Sequence, residues 1–183
     1  GMWASLIGRL DPKTGDMEEY RLPLAARPHS IIPDANGNIW YSGNSNSTIG
    51  MLDPETGLIT EYRTQARDPH TMTWHPNGNL YFTSQNASML GRLDPETGEI
   101  DEIETEQRPY GIKVARNGTV FIAYNGTNKI GAMDPETMEV RYFTISEPQS
   151  RIRRLDLASD DSIWYVNSTM GRIGHLDPRT GAY

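Results

Sequence analysis

The chain has no cysteine, which excludes a disulfide framework and thiol chemistry. It has no run of Lys or Arg, and its formal net charge is −7. Without a basic footprint to meet phosphates, nucleic acid is not an expected partner. No apolar stretch approaches the roughly 20 residues that a membrane-crossing helix needs, so no membrane is expected either. The first residues, Gly1-Met2-Trp3-Ala4-Ser5, lack the charged and long apolar segments of a signal peptide. Gly1 ahead of Met2 reads as an expression remnant, which leaves the compartment open with the cytoplasm as default. No helical period is sustained anywhere along the chain.

What is present is a repeat. Asp11-Pro12, Asp53-Pro54, Asp94-Pro95, Asp134-Pro135 and Asp177-Pro178 recur at steps of 42, 41, 40 and 43 residues, each after an Ile/Leu-Gly pair. In one copy the strand-like runs are 71–74, 80–83, 89–93 and 99–103, separated by Asn-Gly and Asp-Pro-x-Thr-Gly turns. Short β-rich runs between such turns predict consecutive antiparallel hairpins. A four-stranded unit of about 40–45 residues predicts an all-β fold, a β-propeller built of four-stranded antiparallel blades. The expected divisions of one propeller domain are a partial blade at 1–23, blades at 24–65, 66–105 and 106–146, and a partial blade at 147–183. About four blades predict either an arc of a longer propeller or a homodimer that completes a shared ring. Trp40, Tyr81, Phe121 and Trp164 share one place in the second strand and are expected in the core between blades. The Asp of each Asp-Pro is expected to make an Asx-type turn. The glycine before it in the third strand is expected to mark close backbone approach or tight packing.

Blade geometry also says where side chains meet. The start of each first strand and the end of each second strand share one face near the axis. The starts read Arg27-Pro28-His29, Asp68-Pro69-His70, Arg108-Pro109-Tyr110 and Arg151-Ile152-Arg153. His29 and His70 lie one repeat apart and are expected to be neighbours, within reach of one small-molecule or peptide ligand. An imidazole titrating near neutral pH suits proton transfer. Tyr110 and Arg153 continue the ring, and Arg153 is the candidate for an anion. The second-strand ends add Asn44, Gln85, Tyr124 and Asn125 as polar contacts to substrate. His75, in a turn, and His175, on a third strand, are read as structural.

The combination Pro-His-x-Ile/Met, Asn-Gly-Asn-Ile/Leu, an aromatic pair and Ile/Leu-Gly-x-Leu/Met-Asp-Pro-x-Thr-Gly resembles the virginiamycin B lyase family, the streptogramin lyase-like propellers. The resemblance covers essentially the whole chain. It implies a seven-bladed propeller, longer than this chain, that opens cyclic depsipeptide antibiotics by elimination, a route to antibiotic resistance. It also implies Mg2+ as cofactor and a histidine base, with His29 and His70 matching the family's pair of histidines after proline. The family's glutamate at the end of a second strand aligns here with Gly43, Ser84 and Tyr124. Two functions therefore compete. One is a carbon–oxygen lyase acting on a cyclic peptide ester or lactone; the alternative is a non-catalytic propeller that binds a ligand or a protein through the same rim.

Overall fold

The structure, a computed structural model, describes residues 2–183. After a 3-10 turn at Met2–Ala4, every regular element among the described residues is a β-strand. A hairpin pairs β1 (Leu6–Leu10) with β2 (Met17–Arg21). A four-stranded antiparallel sheet comes next in the order β3 (Pro28–Pro33), β4 (Ile39–Gly43), β5 (Thr48–Leu52), β6 (Ile59–Arg63). The second such sheet has the order β7 (Pro69–Trp74), β8 (Leu80–Ser84), β9 (Met89–Leu93), β10 (Ile100–Glu104). The third joins β11 (Pro109–Val114), β12 (Val120–Tyr124), β13 (Lys129–Met133) and β14 (Val140–Thr144). A three-stranded sheet of β15 (Ile152–Leu157), β16 (Ile163–Asn167) and β17 (Arg172–Leu176) ends the series. Sequential order means that each sheet is one repeat folded as a meander. The chain divides into two compact units, residues up to Met72 and residues from Thr73, with the division inside β7. No helix among the described residues is long and apolar enough to cross a membrane.

Each turn is set by its own aspartate. The Oδ1 atoms of Asp11, Asp53, Asp94 and Asp134 each accept the backbone N–H two residues on at 2.8 Å, and Asp177 does so at 2.9 Å. The turn closes on a residue in the left-handed region, Gly at four copies and Met138 (φ 60°) at the other. A left-handed methionine costs about 1–2 kcal/mol. Its side chain is buried in the core of the second unit, which offsets that cost.

The third-strand glycines have a specific reason. Tyr41 lies opposite Gly50, and a Cβ on Gly50 would run into the Tyr41 ring. The same holds for Gly91 under Phe82 and Gly174 under Tyr165. Tyr41 reaches across Gly50 and donates from its hydroxyl to Glu61 on the far strand at 3.0 Å. Burial first, then the Glu61 charge, pushes the Tyr41 phenol well above its ordinary range. Glycine thus makes a slot for an aromatic ring inside a sheet, rather than for contact between sheets.

Of the four second-strand aromatics expected in the core, Trp40, Tyr81 and Phe121 are buried, but Trp164 is 50% exposed. Tyr81 is covered by side chains of β11–β14, and Phe121 by those of β15–β17. Trp164 belongs to the last of these sheets, and no later sheet among the described residues covers it; it rests edge-on against His175 at 5.0 Å.

Candidate functional site

Of the four first strands β3, β7, β11 and β15, the register shows a bulge at the start of β3, β11 and β15. Pro28 pairs with Gly43 and Ile31 with Tyr41, so His29 and Ser30 oppose one residue, Ser42. Pro109 pairs with Tyr124 and Ile112 with Ile122, so Tyr110 and Gly111 oppose Ala123. In β15 the extra residue is Arg153. Such a bulge re-aims the side chain it carries and recurs beside functional sites. Ahead of three of these strands, Arg27 (φ 45°), Asp68 (φ 57°) and Arg108 (φ 57°) hold left-handed backbone immediately before a proline. Non-glycine residues in that region are strained by about 1–3 kcal/mol, and such strain concentrates where side chains are positioned for work.

In the first unit this geometry brings His29 and His70 face to face. Their ring centroids are 3.5 Å apart with planes inclined by 29°. His29 Nδ1 donates to the His70 carbonyl oxygen (3.3 Å), and the Ser42 hydroxyl donates to the same oxygen at 2.8 Å. Ser42 Oγ in turn accepts the Ser30 N–H at 2.9 Å. A carbonyl only accepts, so His29 carries its proton on Nδ1 in the neutral form. Its basic lone pair is then on Nε2. His70, 4% exposed, has Nδ1 3.0 Å from the Thr71 hydroxyl. The Asn44 side-chain amide donates to the Pro69 carbonyl at 3.3 Å and so holds the start of β7.

In the second unit Tyr110 is 4% exposed and receives a 3.0 Å hydrogen bond from Arg153 Nη2. Alignment with the histidines singles out Arg153, yet Arg154 stacks on the same ring, at 4.8 Å against 4.9 Å for Arg153. Tyr124 does not join a rim. Its ring is fully buried, and its hydroxyl shares a 2.5 Å hydrogen bond with Thr105. Gln85 and Asn125 come directly after β8 and β12 and are partly exposed; the Asn125 N–H donates to the Arg108 carbonyl at 2.9 Å. His75 has both ring nitrogens engaged, with Gly118 O at 2.9 Å and Asn77 N at 3.0 Å, as a structural histidine should.

Two positioning residues escape a reading of the sequence. Ser42 anchors the His70 carbonyl, and Thr83 anchors the Tyr110 carbonyl in the same way at 3.1 Å. The signal is faint: a hydroxyl one place before the end of the second strand, at a spacing of one repeat, lost as Ala123 in the next copy.

No protein-family model and no curated protein matches the chain. Solved structures do. Virginiamycin B lyase from Staphylococcus aureus, as a catalytically inactive histidine-to-alanine variant with quinupristin, matches with a TM-score of 0.87 and 27% identity over 96% of this chain and 61% of that one. A streptogramin B lyase matches at 0.86 and 28%, over 96% and 60%. A selenomethionine-substituted form of the Staphylococcus aureus enzyme matches at 0.82 and 26%, over 95% and 63%. The chain is thus similar in fold and sequence to the virginiamycin B lyases. It spans about three fifths of the length of these lyases.

Within that lyase-like frame, the positions aligned with the family's glutamate are closed. A Cβ on Gly43 would collide with the Asn46 and Thr48 side chains. Ser84 is fully buried, and its hydroxyl has no hydrogen-bond partner among the described residues. Tyr124 is the buried ring already described. Mg2+ favours carboxylate and water oxygens, whereas the histidine pair itself offers ring nitrogens; the carboxylate nearest to it in sequence is Asp68. Among the described residues no three His, Asp or Glu side chains converge as metal ligands.

Proposed function

We propose that the stacked His29 and His70 are the proton-handling centre of a lyase-like site for a cyclic peptide ester or lactone. The observation that carries this reading is the 3.5 Å imidazole pair with His29 Nδ1 tied to a backbone carbonyl. That tie presents Nε2 as the base. The proton taken is the one α to a carbonyl; the electron pair left behind forms the carbon–carbon double bond as the ester carbon–oxygen bond breaks, and the carboxylate leaves. Stacking opposes a proton on both rings at once, since two positive charges would then face each other.

A second reading has its own support. The closed position at Gly43 and the partnerless Ser84 hydroxyl leave the aligned sites without a carboxylate. The same imidazoles would then bind a ligand without turning it over.

One experiment separates the two. Purified chain is incubated with quinupristin, with and without Mg2+, and the products are read by mass. Elimination gives a linear product of unchanged mass, whereas hydrolysis adds one water. His29→Ala and His70→Ala should each lower the rate by about 100-fold or more. Undiminished turnover in both variants would remove the base. Saturable binding with no product would establish the second reading.

A further inference from the structure

The pair Arg153–Arg154 does something that a regular strand forbids. Consecutive strand residues point to opposite faces, yet both guanidiniums lie over the single ring of Tyr110, at 4.9 and 4.8 Å. The bulge at Arg153 in β15 makes this possible. The backbone approach is close: a Cβ on Gly111 would sit 3.2 Å from the Arg153 carbonyl oxygen and 3.3 Å from the Arg154 Cα. Glycine next to Tyr110 therefore lets β15 lie against β11, and this seats both arginines.

Two cations side by side call for a counter-charge. Among the described residues neither guanidinium meets a carboxylate. Asp156, two residues on, is taken by Lys113 at 3.2 Å. Arg151 is turned away onto the carbonyls of Pro148 and Ser150, at 3.2 and 2.7 Å. One donor of Arg153 goes to the Tyr110 hydroxyl, which fixes the plane of the guanidinium. Both Arg153 and Arg154 are exposed. This local excess of positive charge stands out on a chain of net charge −7.

We propose that Arg153 and Arg154, seated on Tyr110, form a binding site for an oxyanion, the carboxylate or phosphate of a small molecule. Guanidinium forks match such groups with two parallel hydrogen bonds each, and the aromatic ring beneath holds the forks in place before the ligand arrives. The site lies wholly in the second unit and does not depend on the histidine reading.

The test tracks arginine Nε–H signals by NMR while the chain is titrated with sodium phosphate or sodium benzoate, each against sodium chloride of equal ionic strength. Saturable shifts at Arg153 and Arg154 are expected with at least one of the two oxyanions and not with chloride. Phosphate alone or benzoate alone would name the group that the site prefers. Arg154→Gln, which removes the guanidinium resting on the Tyr110 ring, should weaken binding roughly ten-fold or more. Arg153→Lys keeps the charge but loses the fork and should weaken it as well. His29→Ala should leave the affinity unchanged. Shifts that grow linearly with all three salts, or equal affinity in wild type and Arg154→Gln, would overturn the proposal.

Discussion

Gly50→Ala is the substitution that most directly tests how the sheets are built. A Cβ there would meet Cζ, Cε1 and Oη of Tyr41, far inside the roughly 3.5 Å that two carbons need. Tyr41 is fully buried and cannot swing away. Forcing it aside costs about 1–3 kcal/mol as overpacking, and losing the bond to the Glu61 carboxylate costs about 1.5–3 kcal/mol more. Against this, alanine stiffens the unfolded chain by about 0.4–1 kcal/mol. The net expectation is a loss of about 1.5–5.5 kcal/mol, or roughly 3–20 °C in Tm for a domain of this size. The chain supplies its own control. Gly8 occupies the same repeat position, but its Cβ would meet nothing nearer than the Glu18 carbonyl oxygen at 4.0 Å. Gly8→Ala should therefore be neutral or slightly stabilising. Thermal unfolding monitored by circular dichroism measures both. If the two variants melted at the same temperature, the ring-over-glycine account would be wrong.

Two buried serines should respond in opposite ways: Ser42→Ala strands the Ser30 N–H and one bond of the His70 carbonyl and should cost about 1–3 kcal/mol, whereas Ser84→Ala removes a hydroxyl with no partner and should be neutral or stabilising in urea titrations. Met138→Gly relieves the left-handed backbone but empties a buried methionine site, so it should still destabilise, because burial of that side chain is worth about 1.5–3 kcal/mol; a more stable variant would reverse that balance. Acid should loosen the turns. The Thr56 hydroxyl and then the Glu55 N–H hold the Asp53 carboxyl below its ordinary range, and Arg179 holds that of Asp177 down to about 2. Folded values below the unfolded ones mean that this stability is complete above about pH 4 and is lost as pH falls through the folded values. Tm should therefore fall on acidification below about pH 4, and less steeply in Asp53→Asn; a Tm that rises there would refute the sign.

The repeat was legible because period, turn residues and glycine position are all local. Asp-Pro with Gly or Met four residues after the Asp specifies a turn whatever surrounds it. The meeting of His29 with His70 was legible for the same reason, since equal places in successive repeats converge. The features that the residues did not disclose depend on where a side chain turns. Tyr124 aligns with Gly43 and Ser84, yet its ring folds into the core because Ile122, not an aromatic, lies opposite Gly131 and leaves room there. Arg154 alternates away from the rim in a regular strand, and only a bulge invisible in the sequence brings it beside Arg153. Trp164 holds the same place as Phe121, but the ring of Phe121 is packed by side chains of the next sheet, and exposure follows from such packing.

The hydroxyl anchors at Ser42 and Thr83 have a consequence for how such chains diversify. Each sits in one repeat but aims the side chain at the start of the next. A transplanted or duplicated module would therefore impose its orientation on its downstream neighbour and inherit its own from upstream. Specificity in this architecture is passed along the chain like a relay, and exchanging a single module alters two addresses at once.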